Sequence, residues 1–340
     1  TMRNLKLAVT AGVTAGMFFA FSAQVDAQTK TLRVANWLPS VHHMTGTLNL
    51  WGESIADASG DSLKFEVMKT PLAKPPGQYD LVKKNVVDFA YSVAAYSPKR
   101  FKLFRAVEMP FLVPNAETGS AAAWAWYEKH KFAGKEFSDS KLVGLFVHSP
   151  FLYHSRKKLT SLGDLKGLKI RAGGYGIPIL KKLGAVPLFL NPVSTAEAMQ
   201  RGTIDGSQFP WESLLGLRLI KFSKYHLVFP KGLYTTAFWL SMSKKSWDGL
   251  TAAQKNAMNK AAGLAGSRLI GKRWDSVEAA GKNAAVKAGN TITVLSDAET
   301  ASLKKTIAFV EEGWVADANK AGHDGKALLA DLRATIANFK

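Results

Sequence analysis

From residue 31 the chain alternates between two hydrophobic periods. TLRVAN (31–36), SLKFEV (62–67) and VVDFAYS (86–92) carry their apolar residues at alternate positions or in short runs, as strands do. Between them, about 45–58 and QYDLVKK (78–84) repeat apolar residues at the spacing of a helix. Residues 168–208 then restate the order as LKIRA, IPILKKLG, VPLFL, STAEAMQR and TIDGSQ. In both units the second helix stops at a residue suited to left-handed backbone, Asn85 or Gly202, and a strand carrying Val-Asp or Ile-Asp follows. Ser194 and Glu197 have the spacing of a capping box. Strands alternating with helices predict parallel sheets with helices on their faces, and two such units predict two similar α/β lobes facing each other.

The rest of the chain adds to this plan. TTAFWLSMS (235–243) reads as a strand that crosses back to the first lobe. Thr251 and Gln254 form a second capping-box pattern, followed by a helical pattern from Ala252 to Lys287. Unbroken, that helix is about 54 Å long and lies across both lobes. Its glycines at 263, 266, 271 and 281 each cost about 1 kcal/mol relative to alanine, so a break is expected there. A further helix is expected over 298–318. The resulting division is 28–149 plus about 237–278 for the first domain, and 150–236 plus about 279–340 for the second.

Residues 1–27 are set apart from the fold. Arg3 and Lys6 precede an uncharged stretch from Leu7 to Ala23, and Val25-Asp26-Ala27 suits cleavage after Ala27, so the segment reads as an export leader. Its loss lowers the formal charge from +19 to +18 by removing Arg3, Lys6 and Asp26. A charge of this size favours anionic partners. It is spread along the chain without a block of like charges, and neither a zinc-finger spacing nor an aromatic RNA-binding signature accompanies it, so nucleic acid is not expected as a partner. The chain has no cysteine and therefore neither disulfides nor thiolate chemistry.

Open α/β sheets bind ligands outside the carboxyl ends of their strands. In the first unit that rule selects Asn36, Trp37, His42, the 69–77 loop, Tyr91 and Ser92. In the second it selects Arg171, Tyr175, Asn191, Gln208, Phe209 and Trp211. Phosphate-loop, nucleophile-elbow and zinc-protease motifs are missing, and GGYG (173–176) lacks dinucleotide spacing. Neither His42 with His43 nor His148 with His154 has a strong metal-ligand spacing, so no metal or cofactor is expected. Arg171 has two readings. It continues the polar side of a half-exposed strand, or it emerges beside glycines to hold a carboxylate through two parallel hydrogen bonds. Trp37, Tyr91, Phe151, Phe209 and Trp211 are likewise either packing residues or the walls of a pocket.

At these residues the chain resembles the extracytoplasmic solute-binding proteins of tripartite ATP-independent periplasmic (TRAP) transporters, of the dicarboxylate-binding-protein type. The resemblance runs through RVANWLPSVHHMTG, GQYDLVKKNVVDFAYS, EMPFLVPNAE, SLGDLKGLKIRAGGYG and AEAMQRGTIDGSQFP. It implies a two-domain periplasmic binding protein with a long helix spanning both domains, which closes over an organic acid and delivers it to membrane permease subunits. It also implies that Arg171 forms a salt bridge to the ligand carboxylate. In the sialic-acid-binding branch a second arginine falls where this chain has Phe151, and an asparagine falls where it has Phe209. Two phenylalanines in place of polar contacts point to a monocarboxylate with an aromatic or otherwise apolar body. A sensor module for a C4-dicarboxylate or a 2-oxo or 2-hydroxy acid, a periplasmic enzyme and a polyanion-binding protein are the alternatives.

Overall fold

The computed structural model describes residues 29–339, so the leader expected over 1–27 lies outside the described residues. Eleven strands form two sheets among them. The strands are β1 (Lys30–Val34), β2 (Leu63–Val67), β3 (Phe89–Val93), β4 (Ser140–Val147), β5 (Leu152–Ser155) and β6 (Lys169–Ala172), then β7 (Val186–Phe189), β8 (Gly206–Phe209), β9 (Tyr225–Val228), β10 (Ala237–Ser243) and β11 (Thr291–Val294). The first sheet has the order β2-β1-β3-β10-β4 and the second β11-β9-β5-β8-β6-β7. The repeated pattern is therefore a repeated topology: β1 lies parallel between β2 and β3, and β6 lies parallel between β7 and β8.

The sheets are not purely parallel. In each, a strand entering from outside the unit is antiparallel to its neighbours: β10 to β3 and β4, and β5 to β8 and β9. The chain passes from the first sheet to the second between β4 and β5 and returns between β9 and β10. The two passages are tied together, since the Phe151 amide donates to Tyr234 O at 2.8 Å. β3 is buried along its whole length because it is flanked by β1 and β10 and covered by helices. The helix His43–Ala58 lays Trp51 edge-on against Phe65 and Phe89 of that sheet.

Local signals were followed unevenly. Asn85 and Gly202 have positive φ at the helix ends, and Thr251 with Gln254 makes a complete capping box. The box expected at Ser194 and Glu197 does not form. Asn191 instead caps a single turn at Pro192–Ser194 that leads directly into the helix Thr195–Gln200, so Ser194 is already helical and its side chain caps nothing. The long helical pattern breaks at Ala262, where Gly263 takes φ +63°, leaving helices Ala252–Ala261 and Gly263–Lys287. The second still extends about 37 Å. The helix expected over 298–318 is two, Asp297–Thr306 and Phe309–Lys320, and a third, Gly325–Asn338, follows. These last two lie on the side of the first sheet: Trp314 Nε1 donates to Lys102 O, and Trp126 Nε1 of the helix Ala116–Lys129 donates to Leu328 O. No helix among the described residues is long and apolar enough to cross a membrane.

The long helix meets both lobes through two carboxyl groups one turn apart. Asp275 accepts from the amides of Ala116 and Glu117, at the start of a first-lobe helix, at 2.8 Å each, and from Ser149 Oγ at 3.0 Å. Glu278 accepts from the amides of Trp211 and Glu212 in the second lobe at 2.9 and 3.0 Å. Close backbone approach accompanies both grips: a Cβ at Gly271 would stand 2.4 Å from Ala116 O, and one at Gly281 2.0 Å from Trp211 O.

Candidate functional site

A cavity of about 60 Å³ lies between the lobes, and among the described residues Arg171 is the one arginine or lysine that lines it. Arg171 sits within β6, 4% exposed, because its strand is paired on both sides and the opposite lobe covers its end. Its Nε donates to Leu190 O at 3.1 Å and a terminal nitrogen donates to Gln208 O at 3.4 Å. The guanidinium carbon lies 4.2 Å from the centre of the Phe209 ring. Among the described residues no carboxylate oxygen comes within 4.0 Å of it. Burial pulls its pKa below the usual arginine value, opposed by the hydroxyls of Tyr96 and Tyr234, and the group remains a cation. A buried cation without an acidic neighbour is costly unless an anion joins it.

The remaining wall is rich in aromatic side chains. Trp37, Phe151, Phe209, Phe238, Tyr96, Tyr234 and Trp274 line the cavity together with His42, His148, Glu108 and Glu212. Each carboxylate is already engaged. Glu108 accepts from Arg105 Nε at 2.8 Å and from the Ala237 amide at 3.1 Å. Glu212 accepts from Ser213 Oγ at 2.5 Å and faces His43 Nε2 at 3.3 Å and His42 Nε2 at 3.5 Å. Burial alone would raise the Glu212 pKa. The neighbouring imidazoles and Ser213 outweigh it and hold the carboxyl down to about 2.

His42, His43 and Glu212 bring three potential metal ligands within 4.8 Å of one another, a convergence that sequence spacing did not show because the acid comes from the other lobe. The tautomer of His42 does not suit an ion. Its Nδ1 accepts the Met44 amide at 3.2 Å as the cap of the first helix, which puts the ring proton on Nε2, the atom facing Glu212. Burial lowers His42 to about 4, with Glu212 opposing, so its ring is neutral and the contact is no ion pair at pH 7.

The lobes touch around the cavity rim. Tyr96 meets Phe189 edge-on at 5.8 Å, and Arg105 lies 4.0 Å over the ring of Tyr175. Gly174 has φ +53°, and a Cβ there would come 3.3 Å from Ala95 of the first lobe. The glycines after Arg171 thus let the second lobe's backbone meet the first.

Of the residues expected from sequence, Trp37, His42, Phe151, Arg171 and Phe209 line this cavity, and the others stand elsewhere. Tyr91 is fully buried behind Trp37, donating to Asn36 Oδ1 at 2.7 Å. Ser92 donates to Pro75 O, which ties down the 69–77 loop. Gln208 accepts from the Tyr234 hydroxyl, and Asn191 caps its turn. Tyr175 belongs to the rim. Trp211 packs on the buried pair His154 and His226. These side chains are on the inward faces of their strands or in the shell supporting the wall. His148 follows the end of β4 and satisfies the same strand-end rule. Glu212 and Tyr96 follow strand ends by three residues. Trp274 lies in the middle of a helix and gave no signal.

The buried imidazoles make stability depend on pH. Burial lowers His42, His148 and His226 to about 4 each, so between pH 6.5 and 4 the unfolded chain takes up protons that the folded chain refuses. Glu278 acts oppositely. Burial raises it to about 8, and between pH 4.5 and 8 the folded chain keeps a proton that the unfolded chain has lost. His154 and His323 are lowered as well and Glu136 is raised like Glu278, so the histidines outnumber the acids and give a melting temperature that climbs from pH 4.5 to 6.5 and declines modestly towards pH 8. Melting curves across that range check this; a flat or steadily falling profile from 4.5 to 6.5 would contradict it.

Comparison with known proteins agrees with this geometry. The family model described as bacterial extracellular solute-binding protein, family 7, matches residues 34–313. A TRAP solute-binding protein from Rhodoferax ferrireducens, in complex with copurified benzoate, superposes with a TM-score of 0.85 at 32% identity, over 92% of this chain and 98% of that one. A second, from Bordetella bronchiseptica with bound (R)- and (S)-mandelate, has a TM-score of 0.87 at 28% identity, over 92% and 100%. The outer membrane transporter protein TsaT of Comamonas testosteroni is 26% identical over 95% of this chain and 97% of its own length. With its two lobes, paired topologies and interlobe cavity, the chain belongs to the family 7 bacterial extracellular solute-binding proteins, the DctP-like group that serves TRAP transporters.

Proposed function

We propose that this protein captures a small organic monocarboxylate with an aromatic or otherwise apolar body and presents it to the membrane permease of a TRAP transporter. The observation that carries the reading is the buried guanidinium of Arg171, stacked on Phe209, with no acidic partner among the described residues. A carboxylate supplies the missing charge through two parallel hydrogen bonds, and the rings of Trp37, Phe151, Phe238 and Trp274 enclose the body. Benzoate and mandelate in the two related structures support this class of solute.

Capture works by closure. Solute enters between separated lobes, and contacts that exist only when they meet, such as Tyr96 with Phe189 and Arg105 with Tyr175, favour the closed form. Carrying a two-state equilibrium from 1:99 to 99:1 requires about 5.5 kcal/mol of differential affinity, within reach of one buried ion pair and several ring contacts. The proposed moving bodies are the first sheet with the C-terminal helices and the second sheet with β11. The leader is proposed to be cleaved near Ala27 on export, and the solute to be passed on unchanged.

A thermal-shift series with benzoate, mandelate and succinate tests the reading. Benzoate or mandelate raises the melting temperature in proportion to the logarithm of concentration at saturation, and succinate does so weakly. No shift with either aromatic acid, or a shift with succinate alone, overturns it.

A further inference from the structure

We propose that the preferred solute carries, besides the carboxylate held by Arg171, an O–H or N–H donor on its apolar body, received by Nε2 of His148. This rests on the reading of the cavity as a monocarboxylate site and narrows its solute. His148 lies at the end of β4, buried, with its ring boxed by Phe151 at 4.4 Å and by Phe238 and Trp274 at 5.8 Å each. Its Nδ1 stands 2.6 Å from Ser149 O, and a carbonyl only accepts, so Nδ1 carries the ring proton. Thr235 agrees: its hydroxyl gives its proton to His148 O, leaving a lone pair 3.3 Å from Nδ1.

Burial lowers the His148 pKa to about 4, so at neutral pH no second proton is present and Nε2 is a bare lone pair. Among the described residues no group donates to it, while the ring lines the cavity. An acceptor on the cavity wall selects a ligand that donates, because an analogue without the donor displaces water from it and leaves it unpaired.

The charge around it disfavours a second anion. Glu212 and Glu108 line the same cavity, Glu108 paired with Arg105, and among the described residues Arg171 is the one arginine or lysine in the lining. A second carboxylate would meet an acceptor nitrogen and two carboxylates, whereas a neutral hydroxyl or amine meets partners it can satisfy. The cavity is thus matched to a polarity: anion at Arg171, donor at His148.

Calorimetry of the mature protein with matched benzoates decides this. The probes are benzoate, the three hydroxybenzoates, the three aminobenzoates, the corresponding methoxybenzoates and isophthalate. At least one hydroxy or amino isomer is expected to bind tenfold or more tightly than benzoate, its methoxy counterpart to lose that gain, and isophthalate to bind more weakly than benzoate. In His148→Phe the ratio of donor-bearing isomer to benzoate falls towards one. Because the hydroxy and methoxy comparison is made on the unaltered protein, a folding defect in the variant does not disturb it. If benzoate binds but no donor-bearing isomer exceeds it, or methoxy isomers gain equally, this inference is overturned and the monocarboxylate reading stands. If no benzoate derivative binds, the monocarboxylate reading itself is wrong.

Discussion

Replacing Arg171 by methionine is expected to cost at least about a hundredfold in affinity for an aromatic acid while leaving the ligand-free melting temperature unchanged or higher. Truncating one partner of an enclosed ion pair strands the other, which costs roughly 2–5 kcal/mol. The ligand-free protein carries the reverse burden, a desolvated cation with no acid within 4.0 Å among the described residues. Methionine keeps much of the volume over Phe209 and removes that charge. The carbonyls of Leu190 and Gln208 lose a donor, which offsets part of the gain. Arg171→Lys keeps a charge without the planar fork and should fall between. Calorimetry with benzoate and a melting curve on the same samples check the pair of effects. Unchanged affinity removes Arg171 from the site, and a collapsed melting temperature makes it a structural residue.

Gly281→Ala is expected to reduce both stability and affinity, although residue 281 does not line the cavity. The new methyl group would stand 2.0 Å from Trp211 O and 2.9 Å from the Glu212 amide nitrogen. Both are backbone atoms, so no side chain can swing aside and the helix itself must withdraw. Overpacking of this kind costs about 1–3 kcal/mol, occasionally more. Withdrawal also stretches the two bonds from Trp211 and Glu212 to Glu278 and shifts Glu212, which lines the cavity. Gly313→Ala is the matched control. Nothing lies within 4 Å of the added carbon, and alanine in the helix Phe309–Lys320 stabilises by up to about 1 kcal/mol. Melting temperatures of the two variants should therefore move in opposite directions; a neutral Gly281→Ala would mean that helix and loop are not locked together.

The repeated strand and helix pattern was legible because each unit builds its sheet from local alternation, and the 2-1-3 order of both sheets follows it. The strand TTAFWLSMS was recognisable, but its antiparallel place between β3 and β4 depends on pairing across some 150 and some 100 residues of chain. Arg171 stood out as a charge at the end of an apolar strand beside glycines. Tyr91 and Gln208 shared that position yet turn inward, because strand ends show which residues are near a crevice and not which face each presents. His148 was visible as a strand-end residue but not as an acceptor, since its tautomer is set by Ser149 and Thr235, the latter 87 residues away. Trp274 is one of several apolar positions on a long helix, and only the arrival of both lobes gives it a cavity to face. The Ser194 box failed where Pro192, two residues earlier, had already begun the turn.

The path of the chain limits how this molecule can diversify. It runs from β4 to β5, from β9 to β10, along the long helix to β11, and back to helices that rest beside Lys102 and Trp126. Neither half is an uninterrupted stretch of gene, so recombination at one junction cannot exchange one half for a relative's, and a single proteolytic nick leaves both halves tethered. On the proposed reading of the cavity, new solute preferences arise by point changes in the rings and acceptors of the wall, with the two grips on the long helix held constant.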